Sequence, residues 1–354
     1  MKTQKTSLIL LAIFVLSGVA FYFKSCQKTA STETPTEDMA TTLNPAPDFK
    51  ADSAYAYVKA QVDFGSRVPN TKAHKACGDY LVAKLKQYGC EVISQNFVAT
   101  RFDGKTFDAR NIIGSINPAA AKRILLTAHW DTRWIADKDP KEPKSTFDGA
   151  NDGGSGVGVL LELARTIQQS AQKPNVGIDI IFFDAEEFGE PEDFKGKHGE
   201  NSWCLGSQYW AANKHKKDYT AYYGILLDMV GAKGAVFPYE AESMKYAPMV
   251  VRNIWDIAHR LGYDTIFLET EGGGLIDDHV PVNDVAKIQM IDIIELHPND
   301  PKTFGYYHHT KADNMSVIDR STLKAVGQTV LTVVYQEYIS LLNSLKIIIF
   351  APIK

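Results

Sequence analysis

Ile180-Ile181-Phe182-Phe183-Asp184-Ala185-Glu186-Glu187-Phe188-Gly189 sets four large apolar residues directly before three acids. An apolar run without polar alternation reads as a strand buried on both faces, as in the parallel sheet of an α/β protein. Asp and Glu avoid burial unless they are paired or bind a metal, so a Glu-Glu pair closing such a strand asks for a cation or a catalytic task. If the chain stays extended, the two side chains point to opposite sides, so that one Glu can hold a metal while the other carries a proton. Taken alone, the pair would be read as two solvated acids capping a strand.

Further strand ends repeat the pattern. Arg123-Ile124-Leu125-Leu126-Thr127-Ala128 reads as a second buried strand and runs into His129-Trp130-Asp131-Thr132-Arg133. The loop Asp148-Gly149-Ala150-Asn151-Asp152-Gly153-Gly154-Ser155-Gly156 precedes a helical pattern from Val157 to Ile167. Its glycines would let the backbone pass close to an ion, with the Asp152 carboxylate at the helix start. A third strand, Ala221 to Leu227, ends in Asp228, and Gly305-Tyr306-Tyr307-His308-His309-Thr310 supplies imidazoles from a loop. Open α/β sheets place their sites at such strand ends. Each residue has an ordinary reading: Asp152 a helix cap, His129 a core histidine, Asp228 a turn residue, His309 a surface loop residue. Together they form a set of oxygen and nitrogen ligands without a Cys pair at finger spacing, which fits a catalytic zinc with one open position.

These segments, in this order, resemble the zinc aminopeptidase-like proteins, and within that group the bacterial glutaminyl cyclases. The resemblance rests on His129-Trp130-Asp131-Thr132-Arg133, the Gly149–Gly156 loop, Asp184-Ala185-Glu186-Glu187-Phe188-Gly189, Leu226-Leu227-Asp228-Met229-Val230-Gly231, Asp277-Asp278-His279-Val280-Pro281 and His308-His309-Thr310, with Phe64-Gly65-Ser66-Arg67-Val68-Pro69 resembling the group's Gly-x-Arg-x-Pro opening. It covers roughly residues 50 to 340 and implies a three-layer α/β/α sandwich around a mixed, mostly parallel sheet. It further implies zinc held by Asp152, Glu187 and His309, Glu186 as general acid and base, and His129 and Asp228 either as hydrogen-bonded partners around one zinc or as ligands of a second zinc, as in the peptidases. Asp277-Asp278-His279 resembles the cyclase segment, where peptidases usually show Ser-Asp-His. Two departures stand out: animal cyclases carry Trp where this chain has His308, and His where it has Asp292.

The implied reaction is closure of an N-terminal glutamine to pyroglutamate with loss of ammonia. The metal polarises the side-chain carbonyl, the peptide's own amine attacks, Glu186 carries the proton, and Asp278 positions the leaving nitrogen. The runner-up is a two-zinc aminopeptidase in which Glu186 activates water; a peptide-binding relative without turnover is the third reading. Trp130, Trp134, Trp203 and Tyr307 are available to wall a pocket, though aromatics more often serve the core.

The chain has 354 residues, 45% of them hydrophobic, enough for one sizeable α/β core. A net charge of −4 with no basic stripe speaks against nucleic acid as a partner. Lys2 and Lys5 precede an apolar run from Leu8 to Phe23, then a polar stretch to about Pro47. Residues 1–25 are therefore expected to be a signal peptide or membrane anchor, 26–48 a linker and 49–345 a single catalytic domain facing the periplasm, anchored in the inner membrane. Phe23-Lys24-Ser25 is a poor approach to a lipid-modified Cys26. Cys77 and Cys90 flank a helix and stand too far apart for a bridge, Cys204 is expected in the core, and no disulfide framework is expected. Helices are expected over Thr71–Tyr88, Lys245–Leu261 and Asp319–Leu342, strands over Glu91–Val98, Asn111–Ile116 and Ala286–Ile294, and long loops over Gly189–Ser202 and Glu271–Asp284.

Overall fold

The apolar runs become inner strands of one sheet: β3 (Arg123–His129), β4 (Gly177–Phe183) and β5 (Tyr223–Asp228) are buried at every residue. The computed structural model describes residues 42–196, 201–297, 299–300 and 303–349. The export segment, Cys26 and most of the linker lie outside the described residues. With β1 (Glu91–Thr100), β2 (Thr106–Ile116) and β8 (Met290–Ile294), the six strands lie in the order β1-β2-β4-β3-β5-β8. β4, β3, β5 and β8 run parallel, while β1 and β2 form an antiparallel flank. Parallel pairing brings the C-terminal ends of four strands to one edge, where His129, the Glu pair and Asp228 emerge.

Strand alternation divides the apolar residues between two faces. Ile124, Leu126, Ile180, Phe182, Ile225 and Leu227 pack with residues of α1 (Ala51–Val62), α2 (Lys72–Gln87), α3 (Gly154–Gln169) and α7 (Arg320–Ile349). Leu125, Ile181, Phe183 and Leu226 pack on the other side against Trp210 and Ala211 of α4 (Leu205–Ala212) and against Val282 and Ala286. The result is the expected α/β/α sandwich. Asn44, assigned to the linker from sequence, belongs to this unit: its backbone N–H donates to Gln336 at 3.0 Å.

Several local expectations change. The helix expected over 245–261 is two, α5 (Ala241–Tyr246) and α6 (Pro248–Arg260), split at Ala247 because the residue before a proline disfavours helical backbone. The strand expected from Ala286 begins only at Met290; Val282–Ala286 is a π-helical turn ended by Lys287 at φ +57°. His279–Pro281 is a helical turn inside the loop expected over 271–284. Two short parallel strands not anticipated, β6 (Phe237–Tyr239) and β7 (Phe267–Glu271), make a separate ladder. Cys77, Cys90 and Cys204 are free and buried. Among the described residues no helix is long and apolar enough to cross a membrane.

Candidate active site

The Glu pair does not continue the strand, so the expectation of alternating extended side chains fails. β4 stops at Phe183, Ala185 adopts φ +55°, and the two acids sit in a turn. The turn is fixed from both sides. Asp131 accepts the backbone N–H of Glu186 at 3.1 Å and of Glu187 at 3.3 Å. Asp184 accepts the N–H of Arg110 and Ala185 and pairs with His74 at 2.9 Å. Left-handed backbone at a residue with a Cβ persists only where its surroundings enforce it; here hydrogen bonds to two buried acids do so.

Asp152 is held by other means. The helix cap is Gly153 at φ +79°, without a side-chain bond, so Asp152 is not the cap. Its backbone N–H and that of Asn151 donate to the Asp313 carboxylate at 3.1 and 2.7 Å, while Arg67 grips the carbonyls of Asp148 and Gly149. Two of the loop's glycines are required by packing. A Cβ on Gly153 would lie 2.8 Å from the His129 ring, and one on Gly156 would lie 2.2 Å from the Leu227 carbonyl.

His309 Nε2 lies 3.1 Å from Glu187 Oε2 and 3.6 Å from Asp152 Oδ2. Both oxygens are buried and without a hydrogen-bonding partner among the described residues. Ligands of one tetrahedral zinc at its usual bond lengths stand roughly 3.3 Å apart. The orphaned oxygens and this spacing fit a zinc at Asp152, Glu187 and His309. Asp137, clamped by both arms of Arg133 at 2.8 and 2.7 Å, sits 3.6 Å from His309 Nδ1 and so backs the ring on its far side. Arg133 in turn stacks over Trp203.

His129 Nε2 lies 3.0 Å from Asp152 and 3.2 Å from Asp228, whose carboxylates it joins. Burial pushes the imidazole down, but Asp131, Asp152 and Asp228 outweigh it and hold the proton well above the ordinary range. Glu186 is shifted upward, first by burial and then by Asp277, Asp278 and Asp131, against the pull of His129. Glu187 is raised by burial, then by Asp152 and Glu186. Asp228 is pushed up to about 7, chiefly by burial.

The acids of the Asp277-Asp278 segment arrive beside this group. Asp277 can offer an oxygen within 4.8 Å of Glu186 and of Cys204, and it lines the cavity. Asp278 is fully buried and does not line it, so of the two it is Asp277 that faces the space next to Glu186. Asp292 joins them from β8. Burial first, then Asp277, raises both Asp278 and Asp292 well above the usual carboxylate range.

The cavity measures about 380 Å³ and has Trp203, Leu275, Ile276, Ile294 and Phe304 on its walls with Asp152, Glu186, Glu187, Asp277 and His309. Of the aromatics named from sequence, Trp203 lines it. Trp130 is core, stacked on His74, and Trp134 packs under Arg101. Tyr307 donates to Glu295 and bonds Asn151 at 3.0 Å. A larger groove of about 890 Å³ between the start of α2 and β1–β2 gathers none of these acids.

Glu295, unnoticed in the sequence, is pushed up to about 7 by burial, against Tyr307 and Asn151, which pull it down. A carboxyl that binds its proton more tightly when folded stabilises the fold below its ordinary value, and that contribution is lost as pH rises through the folded one. Glu295→Gln should therefore remove a fall in stability between 4.5 and about 7. Urea unfolding of both proteins across that window tests this; parallel curves would mean that Glu295 is ionised in the fold.

Known proteins share this architecture. Residues 111–334 match Peptidase family M28. The structure of a glutaminyl cyclase from Bacteroides thetaiotaomicron superposes with a TM-score of 0.80 at 52% identity, covering 82% of this chain and 99% of that one. A Zn-dependent exopeptidase from Parabacteroides distasonis does so with a TM-score of 0.80 at 54% identity over 82% and 99%. Aminopeptidase YwaD of Bacillus subtilis is 29% identical over 76% of this chain, which spans about half (53%) of that enzyme's length. The order of the motifs, the sheet and the family match agree: the chain belongs to peptidase family M28.

Proposed function

We infer that the protein is a zinc-dependent glutaminyl-peptide cyclotransferase, converting N-terminal glutamine of peptides and proteins to pyroglutamate with release of ammonia. The observation that carries this is the likeness, at 52% identity, to a bacterial glutaminyl cyclase. Asp277 and Asp278, buried near Glu186 and raising its proton affinity, support it. Asp152, Glu187 and His309 would hold zinc, which when bound supplies Lewis acidity toward the glutamine side-chain carbonyl.

The chain's own residues do the rest. Ring closure joins the α-amine nitrogen to the side-chain carbonyl carbon and breaks that carbon's bond to the amide nitrogen. One proton must leave the attacking amine and one must reach the departing nitrogen. Glu186 can accept the first and return it as the second, because burial and the neighbouring acids keep its proton affinity high. Asp277, which faces the cavity beside Glu186, offers an acceptor for the N–H groups of the leaving ammonia, with the fully buried Asp278 next to it in the chain. Trp203, Leu275, Ile276 and Phe304 enclose the glutamine and leave water little room to compete. We assign one zinc, with His129 and Asp228 hydrogen-bonded beside it, and an exported domain carried by residues 1–25.

Hydrolysis is the second reading, because His129, Asp152 and Asp228 also converge at a spacing suited to a second metal. Mass spectrometry after incubating the zinc-loaded domain with a glutamine-led and a leucine-led peptide separates the two. Loss of ammonia from the first alone is expected; removal of an N-terminal residue from either would make the protein an aminopeptidase.

A further inference from the structure

Cys204 reads from sequence as one more core residue. It is fully buried, but its surroundings are the acids of the site. We propose that Cys204 is a positioning residue for Glu186, its thiol fixing one oxygen of the carboxylate that carries the proton; the inference rests on that role for Glu186.

Three contacts join the two segments. Cys204 Sγ lies 3.3 Å from Glu186 Oε1 and donates to it. The Cys204 backbone N–H donates to the Glu186 carbonyl at 2.9 Å, and that of Leu205 to the Ala185 carbonyl at 3.1 Å. Glu186 is thus held by backbone and side chain from the segment that also places Trp203 on the cavity wall.

Cys204 sits at φ +57° and its partner across these bonds, Ala185, at φ +55°, so two left-handed turns are locked together beside Glu186. The atom that Cys204 adds to this frame, compared with alanine, is the sulfur that meets Glu186.

The chemistry of a thiol suits the task. It is a weak donor, so it can orient a carboxylate while reducing its basicity less than a hydroxyl or a cation would. Burial, then Glu186, Asp278 and Asp277, keep this thiol well above the usual range, so it stays protonated and available to donate.

The test compares Cys204→Ala, Cys204→Gly and Cys204→Ser with the wild type on a glutamine-led peptide, in zinc-loaded protein. Cys204→Ala should lower kcat about tenfold, as expected for a slightly misplaced catalytic group, with KM and zinc content unchanged. Cys204→Gly should show the same loss without a lower melting temperature, since glycine suits the turn. Cys204→Ser, which keeps a donor, should recover most of the rate. Wild-type kcat in Cys204→Ala, or equal losses in Cys204→Ser and Cys204→Ala, would overturn the proposal. A wild type that hydrolyses the peptide would end the cyclotransferase reading yet leave this comparison intact, because Glu186 would then deprotonate water. Full activity in Glu186→Gln would overturn both.

Discussion

Glu186→Gln is expected to lower kcat on glutamine-led peptides by about 10³-fold or more while zinc stays bound, since a positioned acid–base group contributes typically 10² to 10⁴. The amide keeps the size of the side chain and can still accept the Cys204 thiol, so the turn between Ala185 and Glu187 should persist. It cannot take a proton from the attacking amine. Zinc content and KM should therefore change little, the pattern of an interaction made in the transition state rather than in binding. Steady-state kinetics together with metal analysis of the same preparation read both quantities. A variant that keeps a tenth of the wild-type rate would sink the assignment of Glu186, and one that loses zinc would mean that Glu186 is itself a ligand.

His309→Ala should act on the metal instead. It removes the only imidazole among the proposed ligands and leaves the orphaned oxygens of Glu187 and Asp152 without it. Removing a group that merely supports a ligand typically costs 10- to 100-fold in affinity, so losing a ligand should weaken zinc binding by about 100-fold or more. Turnover should vanish at stoichiometric zinc. Competition against a chelator of known affinity gives the size of the effect; an unchanged affinity would place the zinc elsewhere, at His129 and Asp228 in the first instance.

The sheet was legible because β3, β4 and β5 are buried on both faces and so read as unbroken apolar runs. The proposed metal ligands stand out in the sequence because each lies in a short motif at a strand end or in a glycine-rich or histidine-rich loop. Less visible were residues that act through the backbone. Asp131 and Asp313 hold the loops of the site by accepting main-chain N–H groups, and nothing in residue type separates such acids from solvated ones. Ala286 and Ile288 prolong the apolar run of β8 in one dimension, but Asn283 bonds the backbone of His279 and Met290, and Val282–Ala286 is wrapped into a π-helical turn. Cys204 was hidden for a different reason. Cysteine is among the residue types most often fully buried, and the contact of its thiol with Glu186 is what sets Cys204 apart.

The proposed zinc ligands come from three places far apart in the chain: the loop before α3, the turn after β4 and the loop before α7. An unfolded chain cannot bring them together, so zinc would bind the completed domain alone. Such a ligand shifts the unfolding equilibrium by mass action, adding about 1.4 kcal/mol for every tenfold excess of free zinc over its dissociation constant. The domain's resistance to heat and to proteases would then follow the free zinc of its compartment. Catalytic competence and survival would be set by one ion, and a molecule that lost its metal would be removed from the population as well as from turnover.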